Sequence, residues 1–566
     1  MKSQATAPGV SGWRALYGGA VWRALLVAAV LAAGVWLASS HKLIYTDEVA
    51  FFWDFQRLAA GRWDLAMIPH PPVYTALGGL SVRLFGEGTL ALRLPGLLAT
   101  LASLAIVPLV CWAAARELAV ARRAALLAIA LLATQPLILQ GSLLLDIDNT
   151  VMTTAVLAFI AVVGLSERWP AGQQAISVAV AFAVLLWTKL LPLPLLLAVL
   201  LLVVFALAGR RLAPLALGLV LGALAFGLSF ALFLALSGSS PAVYLSTVGR
   251  GGQALRLDLY LSRAVMGGGI QLFWVGMPFF ALLLAATLVA LRRFLEGRQA
   301  PLAAWCSLSV LVGLVVFTLG NELPMGFPRY QVPLVWVGTI LTAVWLAEQG
   351  WRPLWRFAVP AVGVLLVWFW LVAPDPLEPQ YALTFLTDSL AERVRHGLRL
   401  AIGTLVVPFA LVVLGALVHL GRSSRALVTA ALVWSAASWG VISLTQLTAE
   451  YSTIYEYGRR GGWEAGARIR EATSAGSRIV APLELVYASG REGRFVYDYL
   501  CPTCLASLLD RLTKDPPAAF ALSQKEVRRF PELLCHPAVL ERLAACYDPP
   551  ASVGSYVLYL RAERSC

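Results

Sequence analysis

Apolar positions along this chain come in long uninterrupted blocks, neither alternating as in a strand nor spaced by three and four as on a soluble helix. Leu190–Ala208 and Leu212–Leu236 contain no charged residue. Each block exceeds the roughly 18 residues a helix needs to cross a hydrocarbon core about 30 Å thick. No water satisfies backbone amides at that depth, so such runs must be helical. The pattern predicts about thirteen spans, near residues 21–40, 92–114, 124–141, 149–166, 174–189, 190–208, 212–236, 268–291, 302–319, 331–348, 355–373, 400–420 and 426–446. The first follows Lys2, Arg14 and Arg23 and ends in Ala38-Ser39-Ser40. Its long basic lead and the spans behind it favour an uncleaved anchor over a signal peptide.

Composition supports the membrane reading. Of the 566 residues, 59% are hydrophobic and only 13% charged, with a mean hydropathy of +0.77. The net charge of +13 would suit nucleic acid if it formed one face. Instead, much of it lies in short links between apolar runs: Arg116, Arg122 and Arg123; Arg210 and Arg211; Arg292, Arg293 and Arg298; Arg352 and Arg356; Arg422 and Arg425. That is topology control, and no nucleic-acid partner is expected. With the N-terminus cytoplasmic, every basic link is cytoplasmic. The segments 41–91, 142–148, 237–267, 320–330, 374–399 and the tail then lie outside.

The domain reading is a transmembrane domain over 1–447 and a soluble domain over 448–566. The tail is charged, with an amphipathic stretch at Trp463–Thr473, a turn at Gly476 and strand-like runs at Arg478–Ala481 and Ser555–Leu560. These features predict a small α/β domain. Cys501, Cys504, Cys535, Cys546 and Cys566 all fall there. On an oxidising side, the first four are disulfide candidates, and the odd count leaves at least one thiol over. A thioredoxin-like Cys501-Pro502-Thr503-Cys504, which lacks strand–helix context, and a zinc site with His536 are two equally minor readings. Cys111 and Cys306 lie in spans as packing residues.

Candidate chemistry concentrates in the first external loop, 41–91. It carries Asp47-Glu48, Arg62, His70-Pro71-Pro72-Val73-Tyr74, Leu84-Phe85-Gly86-Glu87 and then Leu92-Arg93-Leu94-Pro95. Rich in aromatics but without a span, the loop is expected to form amphipathic helices in the interface. Thr46 could cap a helix beginning at Asp47 and Glu48, where acids are favoured in any case. A second acidic site, Asp146-Ile147-Asp148-Asn149, sits between apolar runs, where carboxylates are costly unless paired or functional. Lys189 ends an apolar hairpin; its ordinary reading is snorkelling to the headgroups.

These residues, in order, resemble the protein O-mannosyltransferase and lipid A aminoarabinose transferase group of GT-C glycosyltransferases. The resemblance extends through Asp148, Thr188-Lys189 and Arg329-Tyr330-Gln331-Val332-Pro333, and covers most of 40–340. The span layout and external tail domain are similar to the aminoarabinose branch, and the inserted luminal domain of the mannosyltransferase branch is not seen. The resemblance implies a sugar donor on polyprenyl phosphate at a bacterial inner membrane, with transfer on the external face. Asp47 is the family-matched general base. Glu48 would orient the base or the acceptor. Asp148 would hold the loop or the acceptor, with Asp146 left as an alternative for that role. The departing phosphate calls for fixed cations, for which Lys189, Arg329 and Arg62 are candidates, with Arg250, Arg256 and Arg263 in reserve. His70, Tyr74 and Tyr330 complete the expected substrate-binding set. A single in-line displacement would invert the anomeric carbon.

His and carboxylate together suit several divalent ions, which makes Asp47 with His70 a metal candidate; no cofactor is otherwise implied. The acceptor is open among lipid A, a protein hydroxyl, a glycan and another lipid. Three competing readings are a transporter or flippase, against which no internal repeat is found, a non-catalytic binder of lipid-linked sugars, and a polymerase or ligase of surface polysaccharide.

Overall fold

In the computed structural model the described residues are 14–64, 70–115, 117–190, 192–242, 244, 277–319, 328–351, 355–372, 407–420, 424–451, 458–500 and 503–562. The chain forms two compact units, Met1–Ala38 with Asp54–Thr445 and Ser39–Trp53 with Gln446–Cys566. The division falls within the helix Asp47–Ala59.

The first unit is helical. Eight of its described helices are long and apolar enough to cross a membrane, or nine if the bent pair Leu118–Thr134 and Pro136–Leu143 is one span. The chain is a multi-span membrane protein. Further apolar helices, among them Leu193–Leu207, are shorter. The run expected to be continuous over 124–141 is broken, with a bend of 70°. Gln135 is extended, with ψ 133°, because a residue before proline is disfavoured in the helical region. Within the first loop, Asp47–Ala59 and Val73–Phe85 are helices of 13 residues each, about 20 Å long and too short to span.

Small residues let helices approach. Ala213–Ser237 and Ala171–Thr188 meet at Gly218 and Gly222, where an added Cβ would stand 2.8 Å from the Ala175 carbonyl and 2.6 Å from that of Ala179. This four-residue spacing of glycines is a recurrent membrane packing device. At Gly96, an added Cβ would lie 2.0 Å from the Gly141 carbonyl, so Thr89–Ala115 and Pro136–Leu143 also meet backbone to backbone. Trp305, fully buried, donates its indole N–H to the Leu197 carbonyl at 2.9 Å, satisfying its one polar atom.

The second unit holds a five-stranded sheet among the described residues, in the order β2-β1-β3-β5-β4. The strands are β1 Arg478–Ala481, β2 Glu492–Phe495, β3 Ala519–Ser523, β4 Ala551–Val553 and β5 Tyr556–Leu560. β1 runs parallel to β2 and β3; β5 is antiparallel to β3 and β4. Strand alternation divides the core in two. Val480, Phe520 and Leu522 pack with Leu508, Leu512, Val539 and Leu543. Ile479, Ala481, Ala519 and Ala521 pack with Ala465, Ile469 and Leu485. Helices therefore cover both faces.

The disulfide expectation is corrected in part. Cys504 is disulfide-bonded, while Cys501 and Cys566 lie outside the described residues. Cys535 and Cys546 are thiols, the first exposed and the second buried. Cys546 is committed to the hydrophobic cluster beneath the sheet, as buried thiols usually are. Cys535 stands at the C-terminal cap of Pro531–Leu534.

Candidate functional site

In the helical unit the chemistry-bearing residues gather where three segments end. Asp148 opens a π-helical turn, Asp148–Met152, in which Thr150 has non-helical angles of φ −116° and ψ −106°. Thr150 donates its hydroxyl to the Asp146 carbonyl, and Thr153 donates to the Asp148 carbonyl at 2.7 Å. Such wide turns are frequent at functional positions. Here the turn places a carboxylate at the head of a helix that carries no other charged residue as far as Ser166.

Lys189 follows the last residue of Ala171–Thr188 and is extended, with φ −159° and ψ 132°. The Thr188 hydroxyl donates to the Leu185 carbonyl at 2.7 Å, and Pro192 prevents simple continuation of the helix. The Lys189 ammonium donates to both Asp148 oxygens, at 2.8 and 2.7 Å. Their side chains are 14% and 7% exposed. The ammonium also stands 4.3 Å from the ring centroid of Tyr330, in the helix Pro328–Glu348. Lysine, aspartate and tyrosine thus meet from three parts of the chain, and the lysine is ion-paired, not snorkelling.

Asp146 and Asp148 have different surroundings. The Asp146 amide donates to the Tyr74 hydroxyl at 3.0 Å, and an Asp146 carboxylate oxygen accepts from the Asn149 amide at 3.4 Å. Tyr74, fully buried, sits edge-on to Phe55 at 5.6 Å. Arg93 is also fully buried and donates from Nε to the Leu143 carbonyl, at the end of the helix leading into Asp146. Nothing but its place in the Leu92-Arg93-Leu94-Pro95 motif marked it beforehand.

Of the remaining candidates in this unit, Arg62 is exposed and His70 half-buried. Arg329 lies in the helix beside Tyr330. Arg250, Arg256 and Arg263 lie outside the described residues. Among the described residues, no three His, Cys, Asp or Glu side chains form a cluster fit for a metal.

Asp47 and Glu48 belong to the second unit. Their helix begins at Asp47, as the acids suggested. Thr46 before it has φ +43°, a region in which a β-branched residue is an outlier. Glu48 is buried and accepts the Tyr45 amide at 3.0 Å, while its own amide donates to the Tyr45 carbonyl at 2.9 Å. A backbone turn and a side-chain bond thus both tie Glu48 to Tyr45 at the start of the helix. Asp47 is exposed.

Residues 69–235 match the family profile described as dolichyl-phosphate-mannose-protein mannosyltransferase. No curated protein matches by sequence. Among solved structures, ArnT from Cupriavidus metallidurans bound to undecaprenyl phosphate is similar with a TM-score of 0.58 at 16% identity, covering 98% of this chain and 99% of that one. Apo ArnT from the same organism gives 0.56 at 15% identity, covering 94% and 97%. At such identities the likeness is one of fold. The chain thus resembles, in the sequence of residues 69–235 and in its overall fold, the protein O-mannosyltransferase and lipid A aminoarabinose transferase group of GT-C glycosyltransferases.

Proposed function

We propose that this protein is an integral-membrane glycosyltransferase that moves a sugar from a polyprenyl-phosphate donor to an acceptor hydroxyl on the external face of a bacterial inner membrane. The observation that carries the reading is the Lys189–Asp148 pair beneath Tyr330, with Lys189 and Asp148 inside the mannosyltransferase-matched segment. An ammonium has three N–H bonds. Two bonds to Asp148 fix the cation in place, and a phosphoryl oxygen is proposed to accept a further one. A preorganised cation of this kind stabilises the charge that gathers on a departing lipid phosphate.

In the proposed reaction Asp47 accepts the acceptor's proton as its oxygen bonds to the anomeric carbon. The bond from that carbon to the phosphate oxygen breaks, the electron pair leaves with polyprenyl phosphate, and the configuration inverts. Arg329 and Arg62 are further phosphate candidates, and His70, Tyr74, Asp146 and Tyr330 are proposed to shape the substrate site. The structure with undecaprenyl phosphate in ArnT supports a donor of this class for the present chain.

The test is release of free polyprenyl phosphate by the protein in nanodiscs, from a panel of polyprenyl-phosphate sugars with cell-envelope extract as acceptor. Sugar-dependent release that disappears in Asp47→Asn is expected. Normal release by that variant would remove Asp47 as the base; no release from any donor by folded wild type would favour transport or simple binding.

A further inference from the structure

The acidic turn Thr46–Glu48 is held by the end of the chain. Lys42 is fully buried. Its ammonium donates to the carbonyl of Gln446, to that of Ala449 at 2.6 Å and to that of Tyr451 at 2.9 Å. Three carbonyls thus form a cage around the buried ammonium and satisfy its charge by hydrogen bonds. The next amide, that of Leu43, donates to the Glu450 carbonyl at 3.2 Å.

Glu450 extends the contact. Its carboxylate accepts the amides of Gly461, Gly462 and Trp463 at 2.7, 2.9 and 3.2 Å. It therefore caps the positive end of the helix Gly462–Ala472. The Trp463 indole donates back to the His41 carbonyl at 3.0 Å. A Cβ at Gly462 would lie 2.4 Å from Leu43 Cδ2, so a larger residue there would push the Leu43 side chain aside.

The other side of the turn is held as well. The Arg459 guanidinium lies 5.8 Å from the Tyr45 ring centroid and is paired with Glu484, which also accepts the Tyr556 hydroxyl at 3.2 Å. Phe52 meets Tyr487 edge-on at 4.9 Å, and Trp53 packs on the cluster around Ile479 and Leu558. Anchors at 41–45 and at 52–53 thus bracket Thr46, whose left-handed conformation is held only where its surroundings over-determine it.

We infer that the C-terminal unit is the positioning element for Asp47 and Glu48, with Lys42 as the latch. This rests on the proposed reading of Asp47 as general base. Lys42 touches neither substrate in this account; it sets the backbone from which the base projects. A misplacement of about 1 Å in such a group can cost on the order of a hundredfold in rate.

The experiment compares full-length wild type, Lys42→Met, Lys42→Arg, Trp463→Phe and Asp47→Asn in nanodiscs. It measures turnover at saturating donor, affinity for polyprenyl phosphate and amide hydrogen exchange over residues 43–50. For Lys42→Met we expect turnover reduced at least ~10-fold, donor affinity within about twofold and faster exchange across 43–50. Lys42→Arg should recover most of the rate, since it restores N–H donors to the cage. If Lys42→Met fails to fold, Trp463→Phe, which removes the bond to His41 and trims the ring contact with Tyr487, should show the same split between turnover and affinity to a smaller degree. Unchanged turnover in these folded variants, beside an inactive Asp47→Asn, would overturn the latch alone. A fully active Asp47→Asn would overturn the reading on which it rests.

Discussion

On the proposed function, Lys189 would serve structure and ligand at once, through its ion pair with Asp148 and a phosphate contact. Removing one partner of a buried ion pair leaves the other charged and desolvated, at about 3–5 kcal/mol in the worst case. Asp148→Asn is therefore expected to lower thermal stability, and the double variant Asp148→Leu with Lys189→Met to recover part of that loss. Affinity should separate the two roles. Lys189→Met should weaken binding of polyprenyl phosphate by roughly 10–100-fold through loss of a charge-assisted bond of about 1.5–3 kcal/mol. Equal affinity in wild type and Lys189→Met would reduce the lysine to a structural partner of Asp148. The charges themselves were visible in the sequence, because an acid or a base among apolar runs stands out. Their pairing was not, since 41 residues separate them and no local periodicity links the two. Lys42 was passed over for the opposite reason. A lysine just after a span looks like an ordinary interfacial residue, and its three carbonyl partners lie more than 400 positions away. The positive φ of Thr46 had no local signal at all.

Among the elements, the helix pair Ala171–Thr188 and Ala213–Ser237 makes a sharp prediction. Gly222→Leu would force a side chain against the Ala179 backbone and should cost about 1–3 kcal/mol or more by overpacking. Gly227, on the same helix, has nothing within 4 Å of an added Cβ. Thermal unfolding in detergent should show Gly222→Leu well below wild type and Gly227→Leu close to it; equal midpoints would mean that the glycine contact contributes little. The apolar helices were legible because run length alone marks them. The break at Gln135 needed more, namely that the proline after it outweighs the apolar pattern. In the tail, β1 and β5 were visible as β-branched or aromatic runs. β2, β3 and β4, only three to five residues long, were not. Glu492-Gly493-Arg494-Phe495 looks like a turn, and Ala519–Ser523 is too rich in alanine to announce a strand.

For the whole molecule, the basic links predict its orientation. Cys535, an exposed thiol in the tail unit, is a native reporter. A membrane-impermeant maleimide should label it in intact spheroplasts. In a Cys535→Ser background, Arg210→Cys should be labelled only after permeabilisation. The reverse pattern would invert the proposed topology and place transfer on the cytoplasmic side.

The Lys42 cage also has a consequence in time. Synthesis runs from the N-terminus, and 404 residues separate Lys42 from Gln446. At about 5–20 residues per second, the ribosome needs roughly 20–80 s after making the acidic turn before the carbonyls that hold it exist. During that interval a growing chain can have its spans in the membrane but no assembled base. A product truncated before Gln446 would then be membrane-bound and, on the proposed reading of Asp47, inert.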